Sequence, residues 1–236
     1  MRNIEFIVLT CDKYLNSRVE SVRHTWGKNE NIKFLTDSES ILIDVVGYNT
    51  PQNYQGIQDK YQSFFKNYDF TKFDYFFFTD DDTFVNKKNL SKLDLPDKNQ
   101  LFAIVRLLCL NPDATDMWGN YTGTNVSIIK GDRATLPLYY PSGGSGFILS
   151  QAACMSVQEY LKNCNDIPWS RFSDVSLGFW LRNCNVKLIP NNDFWWDIHD
   201  KLISNTWEKY ESDKNVITFH YVNEQLMEVY DKKYNY

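Results

Sequence analysis

The stretch at residues 75–85, YFFFTDDDTFV, constrains the fold more than any other part of the chain. Its first half is a run of aromatic residues that favour strands and are apolar at successive positions, which predicts a strand buried on both faces. The run ends in three consecutive carboxylates, Asp80, Asp81 and Asp82. In open α/β sheets, ligands bind beyond the carboxyl ends of the strands. The stretch therefore predicts a buried strand whose tip carries acidic groups at a binding site.

The three carboxylates repel one another, and the nearest basic residue along the chain is Lys87. A divalent cation relieves this repulsion, and carboxylate oxygens are ligands that suit Mg²⁺ and Mn²⁺. The alternative is a solvated acidic turn after an ordinary strand. The hydrophobic run before the triplet and the return to Thr83, Phe84 and Val85 after it favour a metal or phosphate site.

The rest of the chain alternates strand and helix patterns, as parallel sheets require. We predict strands at residues 5–10, 32–36, 41–46, 101–105 and 217–222, and helices at 15–26, 56–67, from about 151 and from about 173. Residues 106–135 lack a clear period and are predicted to form loops, with an antiparallel hairpin around 127–129. Neither a G-x-G-x-x-G sequence nor a Walker pattern is present, so metal bridging from the acidic triplet is the expected way to hold a nucleotide's phosphates.

Three further features have both a structural and a functional interpretation. The GGSG sequence at residues 143–146 either lets a ligand approach the main chain closely or simply forms a tight turn. Asp174 stands at the start of a predicted helix, where capping alone explains it. His220 lies in a predicted late strand, where a lone histidine is more often a hydrogen-bonded core residue than a ligand. Taken in isolation, capping and core packing are the simpler interpretations of these two residues.

Length and charge restrict the class of protein and its partners. A chain of 236 residues without a linker or a repeat is expected to form one domain over residues 1–236. The formal net charge is -5 and the lysines are interleaved with acids, which argues against a nucleic-acid partner. No apolar run is long enough to span a membrane, and the N-terminal segment leads directly into a strand. We expect a soluble protein, cytoplasmic in a microbial or viral setting, with a secretory lumen as the alternative.

The cysteines and the glycosylation sequons bear on the compartment. The five cysteines contain no CxxC pair, so no zinc site is expected and reduced thiols are the simplest interpretation. Sequons begin at Asn89, Asn120 and Asn125, and these would accept glycans in a secretory lumen. Such triplets arise by chance in an asparagine-rich chain, so they decide little.

Six short segments, in this order and at this spacing, resemble glycosyltransferase family 31, the inverting β1,3-glycosyltransferases that include Fringe and the core-1 β1,3-galactosyltransferase. They are RHTWG at 23–27, FLTD at 34–37, DDDTFV at 80–85, GGSG at 143–146, DVSLG at 174–178 and FH at 219–220. The similarity runs from about residue 5 to residue 222. The resemblance implies a GT-A fold, a Rossmann-like α/β arrangement in which helices flank a mixed, mainly parallel sheet.

The resemblance also implies a UDP-sugar donor and Mn²⁺ as cofactor, with Mg²⁺ as the alternative metal. Carried over position by position, Asp82 and His220 would bind the metal, with Asp80 as the other outer residue of the D-x-D motif, and Asp174 would be the general base. The residues implied to contact the nucleotide sugar are Thr10, Arg18, Arg23, Asp37, Asp80, Asp81, Gly143 and Gly144, with the two glycines lining the sugar pocket. Trp195 and Trp196 are candidates for an acceptor platform, although paired tryptophans are more often core residues.

The chain departs from the family pattern in two respects. Animal members carry an N-terminal membrane anchor and paired cysteines, and neither is apparent in this sequence. An acidic residue commonly precedes the base, where this chain has Ser173. Both departures concern the compartment and the acceptor. They leave the predicted chemistry unchanged, because the ligand and base positions are all filled.

The predicted function is transfer of a hexose or N-acetylhexosamine from a UDP-sugar to a hydroxyl, the 3-OH, of a saccharide or glycoconjugate acceptor, with inversion to a β1,3 linkage. Haloacid-dehalogenase phosphatases also have a strand that ends in Asp-x-Asp, but their D-x-D-x-[TV] motif does not fit. Counted from Asp80 the fifth position is Phe84, and counted from Asp81 the third position is Thr83. A catalytically inactive module that binds a sugar or nucleotide sugar with the same fold is the remaining alternative.

Overall fold

The computed structural model describes residues 3–52, 54–110, 137–167, 170, 172–195 and 215–235. The strands in these ranges are β1 (Ile4–Leu9), β2 (Ile32–Thr36), β3 (Val45–Gly47), β4 (Tyr75–Asp80), β5 (Phe84–Val85), β6 (Phe102–Val105), β7 (Leu107–Leu110), β8 (Leu138–Pro141), β9 (Phe147–Ser150), β10 (Lys187–Pro190), β11 (Phe194–Trp195) and β12 (Thr218–Phe219). The helices are α1 (Arg18–His24), α2 (Tyr54–Asn67), α3 (Lys87–Leu90), α4 (Gln151–Asn163), α5 (Ser173–Asn183) and α6 (Glu224–Tyr234).

Seven strands form the central sheet in the spatial order β10-β6-β9-β4-β1-β2-β3. Neighbouring strands are parallel except at β9, which runs antiparallel to both β4 and β6. β1 pairs with β4 so that Leu9 lies opposite Asp80. The carboxyl ends of β1 and β4 therefore lie side by side, and the predicted mixed, mainly parallel sheet is confirmed.

The strand β4 is buried on both faces, as its aromatic run predicts. Phe76, Phe77 and Phe78 are all fully buried. Because side chains alternate along a strand, Phe76 and Phe78 join the apolar cluster under α2, α4 and α5, whereas Phe77 joins the cluster against α1 and α6. The acidic triplet is thus the tip of a central strand between two helical layers.

A small three-stranded sheet brings a distant part of the chain to this tip. β12 pairs antiparallel with β5, with Phe219 opposite Phe84, and parallel with β11, with Trp195 opposite Phe219. β5 begins two residues after the acidic triplet. The residue that follows β12, His220, is therefore positioned beside the triplet.

Two predicted elements are shorter than their sequence patterns suggest. The predicted helix at residues 15–26 is α1, which is preceded by a 3-10 turn at Asp12–Tyr14. The predicted strand at residues 41–46 is reduced to β3, and Ile41 and Ile43 are exposed. The apolar run misleads here because the chain turns before Val45 pairs with Phe34, so the first part of the run never enters the sheet.

The predicted strand at residues 217–222 is reduced to β12, because the chain turns at Tyr221, which has a φ of 59°. The hairpin predicted around 127–129 lies outside the described residues.

The sequons, the cysteines and the lengths of the helices bear on the compartment of the protein. Asn89 is buried and its amide donates a hydrogen bond to the carbonyl of Val216, so the folded chain closes this sequon to glycosylation. The sequons at Asn120 and Asn125 lie outside the described residues. All five cysteines lie in the described ranges, and no disulfide joins any two of them. Among the helices that the structure describes, none is long and apolar enough to cross a membrane.

Candidate active site

Asp80, Asp82 and His220 meet at the carboxyl edge of the sheet. The Nε2 atom of His220 lies 3.3 Å from Oδ1 of Asp82 and 3.8 Å from Oδ2 of Asp80. The backbone N–H of Val222 donates to the carbonyl of Asp82 at 2.8 Å, which fixes the turn after β12 against the acidic triplet. One candidate ligand atom from each of the three side chains lies within 4.8 Å of the others.

This donor set fits a divalent transition metal. The two carboxylates supply oxygen ligands of the kind that Mg²⁺ and Mn²⁺ take, and the imidazole adds a nitrogen ligand of the kind that transition metals take. The electrostatics agree, since burial raises the pKa of Asp80 although 31% of its side chain remains exposed. His220 opposes this rise, while the charges of Asp82, Asp81 and Asp174 add to it. The ionised form of Asp80 is thus destabilised by its surroundings, and a bound cation would stabilise it.

Asp81 faces a different set of groups from its two neighbours. Thr10 Oγ1 donates to Asp81 Oδ2 at 2.6 Å, and Arg18 Nη1 donates to Asp81 Oδ1 at 3.0 Å and to Asp82 Oδ2 at 3.2 Å. The Arg18 guanidinium also stacks on the ring of Tyr14, 4.1 Å from its centroid. Burial raises the pKa of Asp81 against the opposing hydrogen bonds of Thr10 and Arg18. Asp81 therefore ties the strand tip to α1 and leaves the outer two carboxylates for a cation.

The GGSG sequence forms a turn between the metal-type ligands and Asp174. The N–H of Gly146 donates to the carbonyl of Gly143, and Gly146 has a φ of 78°, which favours glycine. The hydroxyl of Thr83 donates to the carbonyl of Gly144 at 2.7 Å and holds the turn beside the acidic triplet. A Cβ atom on Gly144 would overlap the imidazole ring of His220. The absence of a side chain at this position is therefore what lets His220 reach its place.

Asp174 lies on the other side of this turn, in the first turn of α5. The N-cap of α5 is Phe172, so Asp174 does not occupy the capping position. Its Oδ1 accepts a hydrogen bond from the N–H of Val175 at 2.9 Å. Burial raises the pKa of Asp174 to about 6, against the opposing backbone hydrogen bonds from Val175, from its own N–H and from Gly143. A partly buried carboxylate with a pKa in this range has the properties of a general base.

Asp37 belongs to a buried ion pair at the end of the cleft next to β1. Lys60 Nζ lies 2.8 Å from Asp37 Oδ1 and donates to the carbonyl of Thr10 at 2.6 Å, and both charged side chains are almost fully buried. The other carboxylate oxygen, Oδ2, accepts a long bond of 3.4 Å from the N–H of Asp12. Lys60 thus fixes the orientation of Asp37 at the point where the implied nucleoside would bind.

A cleft of about 510 Å³ lies beside these groups. Seven of the residues singled out from the sequence line it, namely Thr10, Arg18, Asp37, Asp80, Asp81, Asp82 and His220. Gly143, Gly144 and Asp174 are not among its lining residues. Tyr14, Lys60 and Tyr221 also line the cleft, although the sequence did not single them out.

Arg23 does not line this cleft either, because other side chains hold it elsewhere. Its guanidinium is held by Asp44, with Nε to Oδ2 at 2.8 Å and Nη2 to Oδ1 at 2.7 Å, and by Glu20. It also packs over the ring of Phe34. On α1, Arg23 lies five positions after Arg18, which places the two side chains in different directions on the helix.

Trp195 lies in the small sheet beside β12, with the Arg106 guanidinium 5.9 Å from the centroid of its ring. It remains partly exposed, so it is not a plain core residue. The structure of Trp196 is outside the described residues.

The helix α2 supplies a site residue, Lys60, that the sequence analysis did not single out. Lys60 and Tyr61 follow Ile57 at three and four residues and precede Phe64, so both lie on the apolar face of this helix. A lysine on an apolar helix face predicts a buried ion pair, and that signal was available in the sequence.

Comparison with known proteins gives the family. Residues 1–233 match the family model described as Fringe-like. The chain belongs to this family. The Fringe-like assignment and the GT-A fold predicted from the six motifs are thereby confirmed, and the chain is a member of a glycosyltransferase family.

Solved structures to which the chain is similar include several glycosyltransferases and a 4-diphosphocytidyl-2C-methyl-D-erythritol synthase. They include the galactosyltransferase LgtC in complex with donor and acceptor sugar analogues, at 15% identity, a TM-score of 0.46 and coverage of 92% of this chain and 86% of that chain. A glycosyltransferase involved in glycosylation of the major capsid of PBCV-1 has 12% identity, a TM-score of 0.46 and coverage of 98% and 99%. A Drosophila β1,4-galactosyltransferase 7 mutant in complex with manganese, UDP-Gal and xylobiose has 11% identity, a TM-score of 0.43 and coverage of 95% and 73%. No curated protein matches the chain in sequence.

Proposed function

We propose that residues 1–236 form one GT-A domain that transfers a hexose or N-acetylhexosamine from a UDP-sugar to a hydroxyl of a saccharide or glycoconjugate, with inversion and formation of a β1,3 linkage. One observation carries the proposal. A metal-type ligand set, Asp80, Asp82 and His220, lies across the 143–146 turn from a carboxylate of raised pKa, Asp174. This is the arrangement that an inverting transfer needs, with one group for the leaving diphosphate and another for the acceptor proton.

The donor would bind along the cleft from Asp37 to His220. Asp80, Asp82 and His220 would hold a divalent cation, Mn²⁺ in our proposal. When bound, the cation supplies positive charge against the leaving diphosphate. Arg18 is already bonded to Asp81 and Asp82, so we assign it two roles: it holds the acidic triplet in place and adds positive charge beside the diphosphate. Arg23 has no part in this site.

The nucleoside would lie against Asp37, whose Oδ1 is engaged by Lys60. The remaining oxygen of Asp37 can then accept a hydrogen bond from the nucleoside.

Asp174 would act as the general base. Cleavage of a sugar-phosphate bond develops positive charge at the anomeric carbon, and the acceptor hydroxyl loses its proton as its oxygen attacks. Asp174 is separated from the ligand set by the glycine turn, so it remains available for this proton. Backbone N–H groups of α5 and of Gly143 fix the orientation of its carboxylate. The same N–H groups keep its pKa low enough for the group to be ionised near neutral pH.

The acceptor would approach from the side of Trp195. This residue is paired with Phe219, directly before the ligand His220, and is partly exposed. An indole face at this position can stack on a sugar ring. We therefore keep Trp195, with Trp196, as the proposed acceptor platform.

A donor panel tests the proposed function. UDP-glucose, UDP-galactose, UDP-GlcNAc and UDP-GalNAc are each incubated with the chain and Mn²⁺, with and without simple saccharide acceptors, and released UDP is measured. We expect at least one donor to release UDP, faster with an acceptor, and not at all in EDTA. Tight binding of a nucleotide sugar without release from any donor would instead indicate a binding module. No binding of any of them would remove the proposal.

A further inference from the structure

Tyr61, on α2, is one of four side chains in the described part of the chain that bury a polar atom without a hydrogen-bond partner. Its side chain is 2% exposed, and its hydroxyl has no hydrogen-bond partner among the residues that the structure describes. A buried hydroxyl without a partner opposes folding, and phenylalanine would fill the same space without this cost. The placement therefore points to a role for the hydroxyl other than stability.

Tyr61 lies on the face of the sheet toward which Asp80 projects. Its ring contacts that of Phe78, with the centroids 6.0 Å apart, and Asp80 follows Phe78 by two residues on β4. Residues two apart on a strand project to the same face. Val175, the residue after Asp174, packs in the same apolar cluster as Tyr61 and Phe78. The tyrosine thus lies below the gap between Asp80 and Asp174.

The charges of both carboxylates act on the hydroxyl of Tyr61. Burial raises the pKa of Tyr61 well above its ordinary value, and the charges of Asp80 and of Asp174 each raise it further. The phenol therefore stays protonated at neutral pH and always offers a hydrogen to a ligand. Both carboxylates can offer only acceptor oxygens when ionised.

The neighbouring residues of α2 hold the tyrosine in place. Gln58 accepts a hydrogen bond from the hydroxyl of Ser176 on α5 at 2.6 Å, and Lys60 is bonded to Asp37 and to the main chain at Thr10. α2 is therefore tied both to the helix that carries the proposed base and to the end of β1. A helix tied on both sides presents Tyr61 in one orientation.

We propose that Tyr61 determines donor specificity by donating a hydrogen bond to a hydroxyl of the sugar being transferred. This inference rests on the proposed function. In an inverting transfer the transferred ring lies between the group that serves the leaving diphosphate and the group that takes the acceptor proton, which in this chain are Asp80 with its partners and Asp174. Ile57 and Lys60, which precede Tyr61 on α2, line the cleft, whereas Tyr61 lies behind its wall. The proposal therefore requires the partly exposed side chain of Asp80 or Asp174 to move when the sugar binds, so that the hydroxyl of Tyr61 meets the sugar.

The test compares Tyr61→Phe with Tyr68→Phe. Tyr68 is the matched control, because its hydroxyl donates to the buried carboxylate of Glu5 at the other end of β1. We expect Tyr61→Phe to melt at or above the temperature of the wild type and to bind UDP with Mn²⁺ within about twofold, yet to lose about tenfold or more in kcat/KM for the nucleotide sugar. Tyr68→Phe should melt lower and keep its kcat/KM.

Deoxy analogues of the best donor identify the partner hydroxyl. With the wild type, removal of one sugar hydroxyl should lower kcat/KM by about the same factor as the Tyr61→Phe substitution does. With Tyr61→Phe, removal of that same hydroxyl should lower kcat/KM no further. Unchanged kcat/KM in a more stable Tyr61→Phe would overturn the inference and leave the proposed function intact. Failure of the wild type to bind any UDP-sugar would remove both.

Discussion

Replacement of Asp174 by Asn is expected to reduce sugar transfer by about 10² to 10⁴ while leaving the binding of UDP and Mn²⁺ unchanged. The amide is close in size to the carboxylate, but it cannot accept the proton of the acceptor hydroxyl. Asp174 lies across the 143–146 turn from the ligand set, so the donor site should be unaffected. The measurement is kcat/KM for transfer beside a calorimetric titration of UDP. A folded variant that transfers sugar at nearly the wild-type rate would show that the base lies elsewhere.

Stability measured against pH separates a base from a residue that only supports the helix. Burial raises the pKa of Asp174 to about 6 in the folded chain, whereas the ordinary pKa of an aspartate, which applies in the unfolded chain, is 3.8. The folded chain therefore binds the carboxyl proton of Asp174 more tightly than the unfolded chain does. The group therefore opposes folding as pH rises through this window, by at most about 3 kcal/mol. Asp174→Asn should be at least as stable as the wild type at pH 8, with its relative stability falling toward pH 4. A variant that is less stable at pH 8 would instead indicate a favourable charge at the helix N-terminus.

The same pKa predicts the acid limb of the activity profile of the wild type. Only the ionised carboxylate can accept a proton, so kcat/KM should rise with pH through a value near 6 and then level off.

Replacement of Gly144 by Ala is expected to weaken Mn²⁺-dependent UDP binding by about 10- to 100-fold, as is typical when the support of a metal ligand is lost. The added methyl group would overlap the His220 ring, whereas the turn is held from the other side by the hydroxyl of Thr83. The imidazole is a side chain, so it yields before the main chain of the turn does, and its displacement takes Nε2 away from Asp80 and Asp82. Metal affinity is measured by titration of Mn²⁺ in the presence of UDP.

Gly143→Ala is the matched control for this substitution. A Cβ at position 143 would lie 3.7 Å from Cβ of Asp174, an ordinary van der Waals contact. We expect this variant to fold and to bind Mn²⁺ and UDP like the wild type, even if the added methyl group affects the sugar pocket. Equal behaviour of the two alanine variants would mean that His220 does not bind the metal.

The strand tip could be predicted from the sequence because local chemistry determines it. A run of aromatic residues is buried on both faces only in a central strand. Three adjacent carboxylates can follow such a strand only where its end reaches solvent or a ligand. Both statements hold whatever the rest of the chain does, and Phe76 to Phe78 are fully buried as expected. The same reasoning on residues 41–46 was wrong, because an apolar run shows a preference for burial but not whether a neighbouring strand is within reach.

The assembly of the site depends on contacts that the sequence pattern does not encode. His220 reaches Asp82 because β12 pairs with β5, a two-residue pairing between segments more than a hundred residues apart. From the residues alone it was more simply a core histidine, and only the family resemblance suggested a ligand. Arg23 shows the opposite error, since a motif position gave it a role that Asp44 and Glu20 prevent. The partners of a charged side chain depend on tertiary structure, and these partners decide whether it can meet a ligand.

The most direct test of the central claim is a calorimetric titration of UDP into the wild type and into Asp82→Ala, each with Mn²⁺ and with EDTA. The chain has no glycine-rich phosphate loop, so a cation at Asp80, Asp82 and His220 must supply most of the attraction for the diphosphate. We predict measurable UDP affinity only for the wild type with Mn²⁺, and at least a tenfold loss in EDTA and in Asp82→Ala. The same UDP affinity in all four titrations would contradict the account, because the phosphates would then be held by a different part of the fold.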